Sequence, residues 1–200
     1  MSGEYLVIPA GTFAIAWGVV PVWWFARRRP GYSHLRDTIS ELGEHGAPDA
    51  ARVAWGAFAP AGLAVWAFVA ALAQALPPDD AVLRGLALFA GLGAGYVGAA
   101  LFPCDRGAPF GGSLRNHLHN LAGAIGYLGG AAGLATLGEA FEGHAVFGRI
   151  AEITRALGMS VLFGLLPLSF PSPFRGLVQR LMESALFGWI ALVCVVWSGR

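Results

Sequence analysis

Lysine is absent from this 200-residue chain, and charge of either sign is scarce. All 13 basic residues are arginine, set against 12 acidic ones, for a formal net charge of +1. That balance leaves no case for nucleic-acid binding, which needs a basic face. A charged share of 12% is about half that of a soluble domain, too little to clothe a water-facing surface. Intrinsic disorder is excluded as well, because it requires low hydrophobicity together with high net charge. Arginine without lysine makes every basic contact a planar guanidinium fork, suited to phosphate or carboxylate, although a GC-rich genome gives the same bias.

Cysteine is nearly missing too. Cys104 and Cys194 have no second thiol nearby in sequence, so neither a disulfide framework nor a zinc site can be built from them. Cys194 lies deep in the last apolar run, roughly 20 Å from the face that carries Cys104, which rules out their pairing. The start, Met-Ser-Gly-Glu, lacks the basic region of a signal peptide, and the first apolar run ends in Arg27-Arg28-Arg29 instead of a small-residue cleavage site. That run is therefore expected to stay as a membrane span. The metalloprotease signature His-Glu-x-x-His and the serine elbow Gly-x-Ser-x-Gly are also absent.

What is present is apolar: 56% of residues are hydrophobic, and the mean hydropathy is +0.60. A helical span needs about 20 mostly apolar residues to cross roughly 30 Å of hydrocarbon. Six segments qualify, near Tyr5–Ala26, Val53–Leu76, Gly85–Pro103, Leu118–Leu137, Ala156–Phe170 and Leu181–Trp197. The fifth is short and contains Pro167; a helix beginning near Ile150 would lengthen it. The expected fold is all-α, an integral membrane bundle of six transmembrane helices with residues 1–200 forming one domain. A β-barrel would alternate every second residue, which these unbroken runs do not. Glycines concentrate in spans three and four, at Gly91, Gly95 and Gly98 and at Gly126, Gly129, Gly130 and Gly133. Small residues at that spacing let helices approach closely, within the chain or against a second copy or another membrane protein. Pro77-Pro78-Asp79-Asp80 reads as a short turn followed by a helix start.

Polar chemistry collects in the first and third connections, which six spans place on one side of the membrane. The first runs from Pro30 to Gly46 and holds Tyr32, His34, Arg36, Asp37, Thr38, Ser40 and Glu41. Thr38 and Glu41 fit a capping box on a short helix that Gly46 could close. The third holds Cys104, Asp105 and Arg106, then Arg115, Asn116, His117, His119 and Asn120. On a regular helix Asn116, His119, Asn120, Gly123 and Tyr127 share a face, while His117 points about 160° away from His119. The two histidines then cannot serve one metal, and could do so only if the helix starts later and this segment is extended. Each residue also has a plainer reading: His119 as a packing residue, Asn116 and Asn120 as glue between helices, Asp105 with Arg106 as an interfacial ion pair, Cys104 as a small buried thiol. Glu152 with Arg155, and Arg180 with Glu183, have the spacing of helix-surface pairs.

These loops resemble an uncharacterised prokaryotic polytopic membrane family, domain of unknown function 998. The likeness rests on Pro30-Gly-Tyr-Ser, Thr38-Ile-Ser-Glu-Leu-Gly, Leu101-Phe-Pro-Cys-Asp and Asn116-His-Leu-His-Asn before a glycine-rich span. A more distant resemblance is to the Frag1/DRAM/Sfk1 membrane proteins, through a similar Ile-Ser-Glu-Leu-Gly-type loop and a His-Asn pair opening a later span. The resemblance implies six helices and a role in lipid metabolism or membrane homeostasis, and it brings no established catalytic residue. Arg27 to Arg29 depart from what it leads one to expect in the first loop.

Three functions follow as expectations. In the first, an interfacial pocket binds a lipid head group or other amphiphile, with Arg36, Arg106 and Arg115 on phosphate or carboxylate and Tyr32, His34, Asp37, Ser40, Glu41, Asp105, Asn116, His119 and Asn120 around it. In the second, the chain is a lipid hydrolase or transferase. Its catalysis would rest on a divalent metal held among His34, Asp37, Asp105, His117 and His119, or on a Ser40 nucleophile with a histidine base. In the third, a transporter, ionisable residues would lie at mid-membrane, where these spans have almost none. A scaffold role for the glycine faces is the remaining alternative. Arginine placement sets an orientation: Arg27, Arg28, Arg29, Arg36, Arg52, Arg106, Arg115, Arg175 and Arg180 border the motif side, which the positive-inside rule makes cytoplasmic, with both termini outside a prokaryotic plasma membrane.

Overall fold

A computed structural model describes residues 3–200. Among them there is no strand, and six helices are long and apolar enough to cross a membrane: Val7–Arg28, Ala50–Ala75, Asp80–Leu101, Leu114–Ala140, Gly148–Ser169 and Arg175–Ser198. The fifth span begins beyond its apolar core, as Pro167 required, and the proline falls in the last turn before the helix ends at Ser169. Consecutive spans pack pairwise and the sixth returns against the first, so the bundle is a closed ring. Outward faces carry exposed apolar side chains on every span, among them Val20, Leu63, Leu88, Leu128, Phe163 and Val195. A surface of that kind belongs in hydrocarbon.

Two spans are interrupted, and in each a tryptophan serves the irregular backbone. The second consists of α3 (Ala50–Val53), a π-helical stretch at Ala54–Phe58 and α4 (Ala59–Ala75). Pro60 has no N–H to give the carbonyl of Gly56 four residues back, which breaks the regular ladder. The Trp17 indole of α1 (Val7–Arg28) donates to that carbonyl at 3.1 Å. The third span divides at Ala90 into α5 (Asp80–Phe89) and α6 (Gly91–Leu101), and Trp66 donates to the Ala90 carbonyl at 2.9 Å. Asp79 caps α5 by accepting from the N–H groups of Ala81 and Val82, both at 2.9 Å, so the helix start read at Asp79-Asp80 is present.

The glycine faces of spans three and four meet each other. A Cβ on Gly95 would lie 2.8 Å from the Gly126 Cα, and one on Gly91 would lie 3.2 Å from the Gly129 Cα. No side chain fits between these backbones, and both faces are occupied within the chain.

The ring interior differs at its two ends. Away from the motif loops it is filled by rings and large aliphatics. Trp189, on α9 (Arg175–Ser198), sits 4.6 Å from Phe89 and 6.1 Å from Phe68 between centroids, all three with no exposure. At this end Arg155 does not pair with Glu152 as its spacing suggested. It reaches across the connection to Glu142, because the chain turns back there and brings that carboxylate within range. The motif end is polar and holds two cavities inside the ring, while another lies at the opposite end between Glu142, Arg149 and Arg155.

Candidate functional site

The first and third connections converge, as the span count required. The His45 N–H donates to the Cys104 carbonyl at 2.8 Å, and the Gly107 N–H to Glu44 Oε2 at 2.7 Å. Glu44 is buried and also accepts from Arg29 at 2.5 Å. The Cys104 thiol donates to the Ser40 carbonyl at 3.4 Å. The fifth connection joins them: Arg175 donates to the carbonyls of Gly107 and Ala108, and the first N–H groups of α9 donate to Arg36 and Leu35.

Within the first connection, α2 (Ile39–Leu42) carries the expected capping box. Glu41 reaches back to the Thr38 N–H at 2.9 Å. The helix closes at Gly43, not at Gly46, whose φ of +85° serves a separate turn. The rest of this loop is organised by Arg180. Its guanidinium donates to the carbonyls of His34 and Asp37, to His34 Nδ1 at 3.0 Å and to the Tyr32 hydroxyl at 2.6 Å. Burial pushes the Tyr32 hydroxyl up to about 12 against the lowering pull of Arg180. Burial and then the Arg180 charge lower the His34 imidazole below its usual value. Asp37 is opposed by burial, but hydrogen bonds from Arg36 and the Ser33 N–H outweigh it and keep its carboxyl below the ordinary range. Arg180 is thus not paired with Glu183. At three residues apart the two could have met, but the loop offers Arg180 four acceptors and Glu183 turns inward.

The third connection is a clasp. Asp105 accepts from the Ser113 N–H at 2.7 Å, the Ser113 hydroxyl at 2.8 Å and Arg115 at 2.8 Å. The Ser113 bonds, and then Arg115, hold its carboxyl low. Its ion partner is therefore Arg115, which α7 (Leu114–Ala140) projects back over the loop, and not the adjacent Arg106, which is exposed. Asn116, fully buried, accepts from the Asp105 N–H and donates to the carbonyls of Pro109 and Gly111. Asn120 donates to Pro109 and Phe110. Burial and then the nearby Glu44 and Glu41 push the Cys104 thiol up to about 12, the behaviour of a packed thiol and not of a nucleophile. His117 is exposed, on the opposite side of α7 from buried His119. Among the described residues no three His, Cys, Asp or Glu side chains gather as metal ligands would. His34 and Asp37 share the loop that Arg180 organises, Asp105 is held by Ser113 and Arg115, and His119 faces the Phe102 carbonyl.

Behind the loops a crevice leads into the ring. A cavity of about 180 Å³ is lined by Ser40, Phe110, His119, Asn120, Leu165, Leu168 and Arg175, among others. A narrower one of about 50 Å³ lies against Ile39, Phe58, Leu92, Tyr96 and Glu183. Ser40, His119, Gly123, Tyr127 and Gln179 line both, so the two cavities abut along a polar seam between apolar walls. His119 Nδ1 is 2.9 Å from the Phe102 carbonyl; a carbonyl only accepts, which puts the proton on Nδ1 and leaves Nε2 as an acceptor in the neutral ring. The Ser40 hydroxyl has no hydrogen-bond partner among the described residues.

At the inner end Glu183 accepts from Tyr96 and Tyr127, each at 2.7 Å. Gln179 donates to the Tyr127 hydroxyl at 3.0 Å and accepts from the Ile39 N–H at 2.6 Å. Sequence reasoning missed Tyr96, Gln179 and Glu183. The available signal was depth: Glu183 lies eight residues into α9, about 12 Å along it, beyond the reach of a head-group ion pair.

The family model "Protein of unknown function (DUF998)" matches residues 10–196. No curated protein and no solved structure matches the chain.

Proposed function

The chain belongs to the DUF998 family of proteins of unknown function, and from that premise we propose that this multi-pass membrane protein binds a lipid or other amphiphile in the crevice behind its motif loops. The observation that carries this reading is the composition of the crevice walls. A seam of Ser40, His119, Asn120, Tyr127 and Gln179 runs between apolar surfaces from Leu92, Phe110, Leu165 and Leu168. Such a space suits a molecule with both a head group and a hydrocarbon part. The arginine bias supports a cytoplasmic mouth.

Gly123 gives the test. It lines both cavities, and a Cβ there meets nothing within 4 Å, so Gly123→Leu fills the crevice without disturbing a helix contact. Native mass spectrometry of the solubilised protein should show an amphiphile on the wild type and its loss from Gly123→Leu. Equal occupancy of the two, or none on the wild type, would remove the reading.

A second reading, a lipid hydrolase or transferase, draws support from one feature. The unengaged Ser40 hydroxyl and a histidine fixed through Nδ1 line the same space, the elements of a nucleophile and an oriented base. Turnover of a long-chain fluorogenic ester, lost in Ser40→Ala, supports it. Turnover undiminished in that variant, or none by wild type, removes it.

A further inference from the structure

Among the described residues, Glu183 is the one acidic side chain lining either cavity, and no arginine or histidine forms an ion pair with it. The guanidiniums nearest the crevice are committed elsewhere. Arg180 is spent on His34, Asp37 and Tyr32, and Arg175 on Gly107, Ala108 and Leu168. The hydrogen bonds around the carboxyl leave it able to accept from a cation brought beside it. The Tyr127 hydroxyl already receives a proton from Gln179, which directs its own toward Glu183, and Tyr96 donates to the other oxygen. Two short O–H···O bonds leave the carboxylate an acceptor with lone pairs to spare. A carboxylate at this depth is costly without a positive partner.

The same narrow cavity presents two further acceptors, the Ser40 hydroxyl and His119 Nε2, and the rings of Phe58 and Tyr96. Three acceptors match the three N–H donors of an ammonium, and aromatic faces attract a cation. We propose that the crevice selects a protonated alkyl amine, with nitrogen at Glu183, Ser40 and His119 and the hydrocarbon part against Leu165 and Leu168 of α8 (Ala151–Ser169). This rests on the reading that the crevice admits an amphiphile, and it assigns the charge of the head group. The arginines of the loops take no part, since Arg36 and Arg115 are neutralised by Asp37 and Asp105.

The test is equilibrium binding of radiolabelled dodecylamine, dodecyl phosphate and dodecanol to the full chain in non-ionic detergent at neutral pH. The wild type should bind the amine at least about tenfold more tightly than the phosphate, roughly the worth of one charged hydrogen bond. Glu183→Gln, which can still accept from a tyrosine, should lose that preference. If the wild type binds all three equally, or Glu183→Gln keeps the preference, the charge assignment is overturned and amphiphile binding stands. If the wild type binds none, both fall. The comparison of amine with phosphate on wild type decides the matter even if the variant does not fold.

Discussion

Replacing Arg180 by methionine should release the first connection from the sixth span, and Cys104 reports the release. Methionine keeps most of the length of the side chain and removes four bonds to the loop: two to carbonyls, one to His34 Nδ1 and one to the Tyr32 hydroxyl. These groups are partly open to water, so each bond is worth about 0.5 kcal/mol, the low end for a protein hydrogen bond, and together about 2 kcal/mol. Cys104 has no exposure and sits beneath Ser40, with its thiol pushed up to about 12, so labelling requires the loop to lift. With Cys194→Ala as background, a maleimide should modify Cys104 roughly thirtyfold faster in the Arg180→Met protein. A rate within about threefold of the parent, with helical circular dichroism unchanged, would refute the view that Arg180 pins the loop.

Three other outcomes are expected. His34 has a lowered pKa in the folded state, so its contribution to the loop is complete above the ordinary 6.5 and is lost as pH falls from there through the lower folded value. Protection factors for hydrogen exchange in residues 33–38, taken against the intrinsic rate at each pH, should fall from pH 7 to pH 5, and a fall just as large in His34→Gln would assign it to another group. Gly95→Val should lower thermal stability in detergent by about 1–3 kcal/mol, because even a Cβ there would stand 2.8 Å from the Gly126 Cα; an unchanged melting temperature would contradict that close approach. Trp17→Phe should cost about 1 kcal/mol by orphaning the Gly56 carbonyl, and much less in a Pro60→Ala background, where the helix can supply its own donor. Equal costs in the two backgrounds would mean that the indole does not serve that carbonyl.

What the sequence made legible was local. The six spans follow from run length, the capping box from Thr38 and Glu41 at their fixed spacing, and the buried face of Asn116, His119 and Tyr127 from helical periodicity. Convergence of the first and third connections followed from counting spans. Pairing did not follow. Arg180, Arg155 and Asp105 each had a neighbour of opposite charge close in sequence and each chose a distant or less obvious partner, because a long side chain goes where docking places the most acceptors. Glu183 was obscured by Arg180: three residues apart, the two read as a helix-surface pair. Only the approach of Tyr96 and Tyr127 from two other spans makes it the inner end of a crevice.

The layer of Trp189, Phe89 and Phe68 beneath that carboxylate has a thermodynamic meaning of its own. A recess closed by tightly fitted rings is a cul-de-sac, and whatever enters must leave by the same mouth. On the proposed reading, its filling at equilibrium follows the chemical potential of the amphiphile on the motif side of the bilayer alone. The aromatic layer gives a symmetric-looking ring of six helices one filled end and one open end.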